Sequence, residues 1–257
     1  MDETEENMET EWLIKRIMDL AEKSYRNNLY TYTHFLNPEE LSLFLSRKSD
    51  FEAYTYQIFG GNENSERKMV GFGNAKELGY DSEFPIQLIK ISPLMLKFAK
   101  DFSHRDVLGA IMHLGIERNV IGDIIVKDKF AYVYCENSIS NFILEHLEKV
   151  RNTNVKCEIV DLAIPECAPN LKEEKVIVAS LRLDALICAV FKLSRKEVLE
   201  YFRGKKVFLD YTLVENNSAK VKEGSIISVR GFGKICFKQI CGETKKGRIM
   251  VIYDRYI

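Results

Sequence analysis

The stretch SLRLDALICAVFKLSRKEVLEYFRGKKVFL, residues 180–209, decides the fold of the C-terminal part of this chain. Its first half carries apolar residues at helical spacing, among them Leu183, Leu186 and Val190. That periodicity predicts a short amphipathic helix with Ser180 as its N-cap.

The second half of the stretch predicts another helix and a strand. Ser194 and Glu197 have the spacing of a capping box, in which each side chain bonds the other residue's backbone amide. Gly204 is expected to end this helix, because glycine readily adopts the left-handed conformation common after a helix. A strand is predicted at residues 207–209.

Basic residues stand at both ends of the second predicted helix. Arg195 and Lys196 fall in its first turn, where an exposed cation opposes the helix dipole at a cost of about 0.3–1 kcal/mol. The arrangement becomes favourable if the helix start faces an anion. Lys196 shares a helix face with Arg203, and Lys205 and Lys206 follow directly. The alternative is a solvated basic surface with ordinary helix caps.

Four pieces of sequence carry a resemblance in this region. They are SLRLD at 180–184, SRK at 194–196, GKKV at 204–207 and GSIISVRGFGK at 224–234. In order and spacing they resemble the small RNA-binding module first known from ribosomal protein S-four, which carries the αL motif.

The resemblance implies that a structured RNA binds to this module. The basic side chains expected to meet its phosphates or grooves are Arg182, Arg195, Lys196, Arg203, Lys205 and Lys206, extended by Arg230 and Lys234 beside the glycine turn. Ser194 is expected to cap its helix and to hydrogen-bond a phosphate. Asp184 is expected to orient the first helix, where its charge favours the dipole.

Charge is divided unevenly along the chain. The net charge is −1, but residues 172–257 carry 18 Lys and Arg against 10 Asp and Glu, a balance of +8. The rest of the chain therefore has a balance of −9. A basic C-terminal part on an acidic body is typical of a polyanion-binding module carried by another domain.

Composition indicates an ordinary globular protein, with 46% hydrophobic and 29% charged residues in 257. No apolar run approaches the roughly 20 residues that span a bilayer. Residues 1–11 hold six acids and no base, unlike a signal or transit peptide, so we expect a cytoplasmic protein that meets no membrane. The same acidic segment is expected to be disordered.

The sequence predicts neither a metal site nor a cofactor. The six cysteines form no C-x-x-C pair and are expected to be reduced and buried. The four histidines are scattered, without ligand spacing. The glycines of Gly71–Gly79 do not match the dinucleotide-binding pattern, and no catalytic triad motif is present.

The N-terminal part is predicted to contain both helices and strands. An amphipathic helix is predicted from Trp12 to about Arg26, and Asn37 followed by proline and two acids predicts the start of another. Strands are predicted at residues 51–59 and 69–72.

The middle of the chain has the element order β-α-β-β-α-β. The predicted segments are strand 84–91, helix 105–114, strands 123–126 and 129–135, helix 138–150 and strand 155–160. That is the order of a ferredoxin-like fold and of RNA-recognition domains. Phe130, Tyr132 and Tyr134 share one strand face, where they could stack on bases. We favour the alternative that they pack under the N-terminal segment.

A second resemblance spans nearly the whole chain. It is carried by THFLNPEE at 33–40, ERK at 66–68 and above all HRDVLGAIMHLGIERNVIGDI at 104–124. These segments resemble the bacterial YlmH family. The resemblance implies binding to the large ribosomal subunit and a part in quality control of stalled subunits that still carry peptidyl-tRNA. Arg105 and Arg118 are candidates for secondary RNA contacts.

Together these observations predict an α+β protein in three parts. An N-terminal α/β region covers residues 1–80, a ferredoxin-like or RRM-like domain 81–171 and an S-four-like RNA-binding domain 172–257. The expected partners are ribosomal RNA, transfer RNA and the large ribosomal subunit, met by a monomer without catalytic activity.

Two other functions stay open at this stage. One is an RNA-modifying enzyme, of the pseudouridine synthase or methyltransferase type, that uses the C-terminal module for targeting. The other is a cytoplasmic interaction protein whose acidic N-terminal part recruits a protein partner.

Overall fold

The structure of the protein is a computed structural model that describes residues 3–245 and 247–256. The chain divides into two compact units, Met1–Ala168 and Pro169–Ile257. Each unit combines helices with antiparallel sheets, so the α+β class predicted from the sequence is confirmed.

The first unit begins with a long helix, α1, at Glu3–Asn27. The disorder expected for residues 1–11 is therefore wrong from Glu3 onward, and residues 1–2 lie outside the described part of the chain. The physical reason is that a helix already fixed by packing propagates at little cost. The packed turns are those of Ile14, Ile17 and Ala21, which are buried, whereas Trp12 is exposed.

A small three-stranded sheet follows α1, with strand order β1-β3-β2. Its strands are β1 at Thr31–Tyr32, β2 at Tyr56–Phe59 and β3 at Met69–Phe72, and its helices are α2 at Pro38–Ser46 and α3 at Ala75–Leu78. Asn37 and Glu40 form the capping box of α2, which confirms the predicted helix start. The strand predicted at 51–59 is shorter, because Lys48–Phe51 form a 3₁₀ turn and the amide of Tyr54 donates to the carbonyl of Phe51 in a further turn.

The central part of the unit has the predicted element order. Its elements are β4 at Ile86–Pro93, α4 at His104–Met112, β5 at Ile121–Lys127, β6 at Phe130–Glu136, α5 at Asn137–His146, β7 at Lys149–Val150 and β8 at Thr153–Val160. They form an antiparallel sheet of order β5-β6-β4-β8-β7. The two helices follow the first and third long strands, as in a split βαβ fold.

The two faces of this sheet are covered by different parts of the unit. Because side chains alternate along a strand, β6 sends Val133 to one face and Tyr132 and Tyr134 to the other. The first face packs on α4 and α5. The second packs on Phe35 and Met69 of the N-terminal part.

The second unit is a six-stranded antiparallel sheet with two helices on one face. Its elements are β9 at Leu171–Val178, α6 at Leu183–Phe191, α7 at Arg195–Arg203, β10 at Val207–Leu209, β11 at Thr212–Leu213, β12 at Ile226–Val229, β13 at Gly233–Glu243 and β14 at Ile249–Tyr256. The strand order is β11-β10-β12-β13-β14-β9. The core joins Leu186 of α6 and Phe202 of α7 to Phe237 of the sheet.

No helix in the described residues is both long and apolar enough to cross a bilayer. All six cysteines are free thiols. Burial raises the pKa of Cys135 to about 12 and those of Cys157 and Cys167 to about 11. Cys241 departs from the expected burial, since it is exposed.

Candidate nucleic-acid interface

At the start of α6, one of the predicted RNA-binding cations forms an ion pair within the chain. Arg182, and not Ser180, is the N-cap residue of α6. Its guanidinium forms a bidentate ion pair with Asp184, with Nε–Oδ1 at 3.0 Å and the second nitrogen at 2.7 Å from Oδ2. This pairing raises the pKa of Arg182. Asp184 also accepts the amide of Ala185 in the first turn, so the pair stabilises the helix start.

The start of α7 has the predicted capping box. Ser194 Oγ accepts the amide of Glu197 at 3.3 Å, and the Glu197 carboxylate accepts the amide of Ser194 at 2.7 Å. These hydrogen bonds lower the pKa of Glu197. The carboxylate nearest in sequence to Arg195 and Lys196 is therefore engaged with the backbone.

Arg195 and Lys196 are exposed in the first turn of α7. Within residues 3–245 and 247–256, neither they nor Arg203 at the far end of α7 lies within ion-pair distance of a carboxylate. These three cations on one helix can therefore form ion pairs with an external anion.

The end of α7 differs from the prediction by one residue. Gly204 has a right-handed φ of −79°, and Lys205 takes the left-handed position at φ 53°. The amide of Lys206 donates to the carbonyl of Tyr201 at 3.0 Å and that of Lys205 to Phe202 at 3.1 Å. This is the Schellman pattern, in which the left-handed residue follows the C-cap.

Helix α6 ends in the same way, with Lys192 in the left-handed conformation at φ 56°. The amide of Leu193 donates to the carbonyl of Cys188 at 3.1 Å. Lys192 is exposed two residues before the cap of α7, and our sequence analysis missed it. The available signal was a lysine, instead of the usual glycine, between one helix and the next N-cap.

The turn between β12 and β13 places a further cation beside α7. The amide of Arg230 donates to the carbonyl of Lys206 at 3.0 Å. Phe232, 41% exposed, packs edge-on against Tyr201 at 5.1 Å between ring centroids. The ammonium of Lys206 lies 5.7 Å from the same Tyr201 ring. The turn and the helix are therefore held together by both backbone and aromatic contacts.

Lys234 does not extend this surface, contrary to the prediction. It is 8% exposed, and its ammonium lies 4.8 Å from the Tyr256 ring centroid and 5.6 Å from that of Tyr211. The reason is the alternation of β13: Ile235 points to the core under the helices, so Lys234 points to the opposite face.

Of the two arginines proposed as secondary contacts, Arg118 is an internal residue. Its guanidinium donates to the carbonyls of Ile121 and Gly122, at 2.5 and 3.2 Å. Burial, together with neighbouring Arg67, lowers its pKa to about 10. Arg105 is exposed at the start of α4.

The aromatic face of the central sheet is covered, as we favoured from the sequence. Tyr132 and Tyr134 are 3% and 0% exposed. The Tyr134 hydroxyl donates to the carbonyl of Leu162 at 3.1 Å. Gly61 lies so close that a Cβ there would be 2.2 Å from the Tyr134 ring. Bases therefore cannot stack on these two rings in this structure.

We call the exposed cations on α7, on the turns just before and after it, and on the β12–β13 turn the basic surface. Its members are Lys192, Arg195, Lys196, Arg203, Lys205, Lys206 and Arg230. Among the described residues, no group of three or more His, Cys, Asp or Glu side chains is placed to hold a metal ion. Exposed cations clustered around one helix are typical of nucleic-acid-binding proteins, and that is the class this surface indicates.

Comparison with known proteins shows which proteins the chain is similar to. Residues 80–163 match the family model described as "Putative RNA-binding domain in YlmH". The chain is 29% identical over 251 residues to "Ribosome-associated protein quality control protein P2" of Bacillus subtilis (strain 168), covering 95% of this chain and 91% of that protein. Both findings confirm the resemblance to the YlmH family that was inferred from the sequence.

Solved structures also match the chain. Among them is "Cell division protein ylmH from Streptococcus pneumoniae", at 22% identity and a TM-score of 0.47. The match covers 59% of this chain and 91% of that one.

Proposed function

We propose that this protein is a non-catalytic RNA-binding protein that associates with the large ribosomal subunit through its basic surface. In this role it takes part in quality control of stalled subunits, where it meets ribosomal RNA and the peptidyl-tRNA that such subunits retain. It acts as a cytoplasmic monomer, and its C-terminal unit is an S-four-like RNA-binding domain.

The observation that carries the proposal is the pair Arg195 and Lys196. Both are exposed in the first turn of a capped helix, and no carboxylate in the described part of the chain pairs with them. Cations in this position oppose the helix dipole, so they cost stability unless an anion binds there. A phosphate group would meet both the cations and the helix N-terminus.

The relative from Bacillus subtilis supports the choice of partner, since its name describes a ribosome-associated quality control protein. Ribosomal RNA is largely double-helical, and its deep major groove excludes side chains. Contacts from the basic surface would therefore go to phosphates and ribose hydroxyls, so recognition would depend on RNA shape.

The proposal is tested by the salt dependence of binding to purified large ribosomal subunits. Each phosphate contact releases counterions, so six contacts would weaken binding by on the order of 10³-fold between 50 and 200 mM salt. Cosedimentation of the full chain with subunits over that range gives the slope. Binding that does not change with salt would contradict an interface made of cations and phosphates.

A further inference from the structure

A second basic site lies in the first unit, on the helical side of the central sheet. It is a cleft of about 620 Å³ between α4, the end of α5 and the β7–β8 turn. Its walls include Arg105, Gly109, His113, His146, Lys149 and Arg151. Clefts of this size are typical of ligand sites.

The charge of the cleft favours an anion. Arg105 and Lys149 are exposed, and neither pairs with a carboxylate within the described ranges of the chain. Asp106 is engaged by Ser103, whose hydroxyl and amide lie 2.7 and 3.1 Å from its Oδ2, and these hydrogen bonds lower the pKa of Asp106. Arg151 lies 3.6 Å from the same carboxylate. Asp106 is thus shared. Glu148 also lines the cleft, so three Lys and Arg side chains face two carboxylates, an excess of one positive charge.

Three residues of the cleft have a side chain or a backbone conformation that is unfavourable at their position in the secondary structure. Arg105 is a cation in the first turn of α4, where the helix dipole disfavours it. Gly109 stands inside the same helix, where alanine is more stable. Arg151 has a left-handed φ of 53°, a conformation that glycine and asparagine adopt more easily.

The fold itself does not require Gly109. A Cβ added there would meet nothing within 4 Å, and no left-handed φ explains the glycine. Glycine is also used where a ligand must approach the backbone closely. Residues that break local rules are expected at functional sites, and three of them line one cleft.

We propose that this cleft binds the sugar–phosphate backbone of RNA. Phosphate oxygens meet the guanidinium groups of Arg105 and Arg151 and the ammonium of Lys149, and the backbone passes over Gly109. Arginine favours such contacts because its planar fork matches two phosphate oxygens. The matched RNA-binding domain of residues 80–163 contains the cleft, while Tyr132 and Tyr134 on its sheet are buried.

The inference rests on RNA binding by this chain, but not on the basic surface of the second unit. Two variants test it in the full chain, with deproteinised large-subunit ribosomal RNA as the probe. Gly109→Leu fills the cleft with a good helix former, and Arg151→Gly removes a cation together with its left-handed strain. Both are expected to keep or raise the melting temperature, and each to weaken RNA binding about tenfold, or about 1.4 kcal/mol.

Asp128→Gly is the matched control, because Asp128 is an exposed turn residue of the same unit with the same φ of 53°. Aspartate adopts this conformation more easily than arginine, so the variant relieves a smaller strain outside the cleft, and RNA binding should not weaken. Wild-type affinity of Gly109→Leu and Arg151→Gly would overturn the proposal. So would tight binding of poly-glutamate in place of RNA, which would indicate an acidic protein partner.

The double variant Arg195→Glu/Lys196→Glu, measured in parallel, separates the two sites. If the Arg195→Glu/Lys196→Glu variant loses RNA binding while the cleft variants do not, the cleft proposal fails and the proposed function stands. If the cleft variants lose RNA binding and the Arg195→Glu/Lys196→Glu variant does not, the cleft binds RNA and the basic surface does not.

Discussion

Lys192 and Lys205 each hold a left-handed backbone conformation that glycine would adopt without strain. A lysine there partly compensates, because a cation near a helix C-terminus interacts favourably with the dipole. The remaining strain is consistent with selection for charge at these two turns. One turn precedes α7 and the other follows it.

Replacing Lys205 with glycine should separate stability from binding. Removal of the left-handed strain is expected to raise the free energy of unfolding by about 0.5–1 kcal/mol, after the lost dipole interaction is subtracted. Loss of one phosphate contact should lower the salt slope of RNA binding by about 1. Urea unfolding and salt titrations measure the two effects, and a destabilised variant would contradict the left-handed assignment.

At the scale of elements, the capping box of α7 holds the cations of its first turn in place. Ser194→Ala should destabilise the second unit by about 1 kcal/mol, since an amide loses its acceptor. Ser194→Asp should keep the cap, because aspartate is as good an N-cap as serine. Its negative charge beside Arg195 should nevertheless weaken RNA binding. Thermal unfolding and RNA binding of both variants distinguish capping from phosphate contact; equal binding by Ser194→Asp and wild type would contradict a phosphate at this position.

Glu174 joins the edge strand β9 to the rest of the second unit. Hydrogen bonds from Tyr253, Lys172 and Arg255 lower its pKa to about 2. The second nitrogen of Arg255 donates to the carbonyl of Val190 at 2.9 Å, which links this network to α6.

Because the folded state holds the charged carboxylate more strongly, Glu174 stabilises the unit at pH values above its ordinary pKa of 4.5. This contribution is lost as the pH falls from there toward about 2. Glu174→Gln should therefore show a smaller drop in melting temperature over that range than wild type. An identical pH dependence of the two proteins would contradict the lowered pKa.

Local sequence patterns predicted those elements whose determinants lie within a few residues. The capping boxes of α2 and α7 and the β-α-β-β-α-β order belong to this group. The position of Lys234 could not be predicted, because it depends on which face of β13 turns to the core. The internal hydrogen bonds of Arg118 could not be predicted for a similar reason: the carbonyls it binds are brought together only by the fold around the start of β5.

At the scale of the whole molecule, the chain joins an acidic first part to a basic C-terminal part. An acidic body would repel nucleic acid in general, whereas the basic part attracts it. Binding would thus be restricted to RNA whose phosphates fit the exposed cations. Selectivity for RNA would then depend on where the charges lie and not on the net charge of the chain.

The central claim is that cations at the start of α7 bind ribosomal RNA. The direct test is cosedimentation of the Arg195→Glu/Lys196→Glu variant with large ribosomal subunits. Its control, Lys175→Glu/Lys245→Glu, makes the same change in net charge at exposed residues on β9 and beyond the far end of β13. We predict that the first variant fails to cosediment while its melting temperature is unchanged or raised, because acids replace cations in the first helix turn, and that the control binds like wild type. Equal cosedimentation of the two variants would contradict the account.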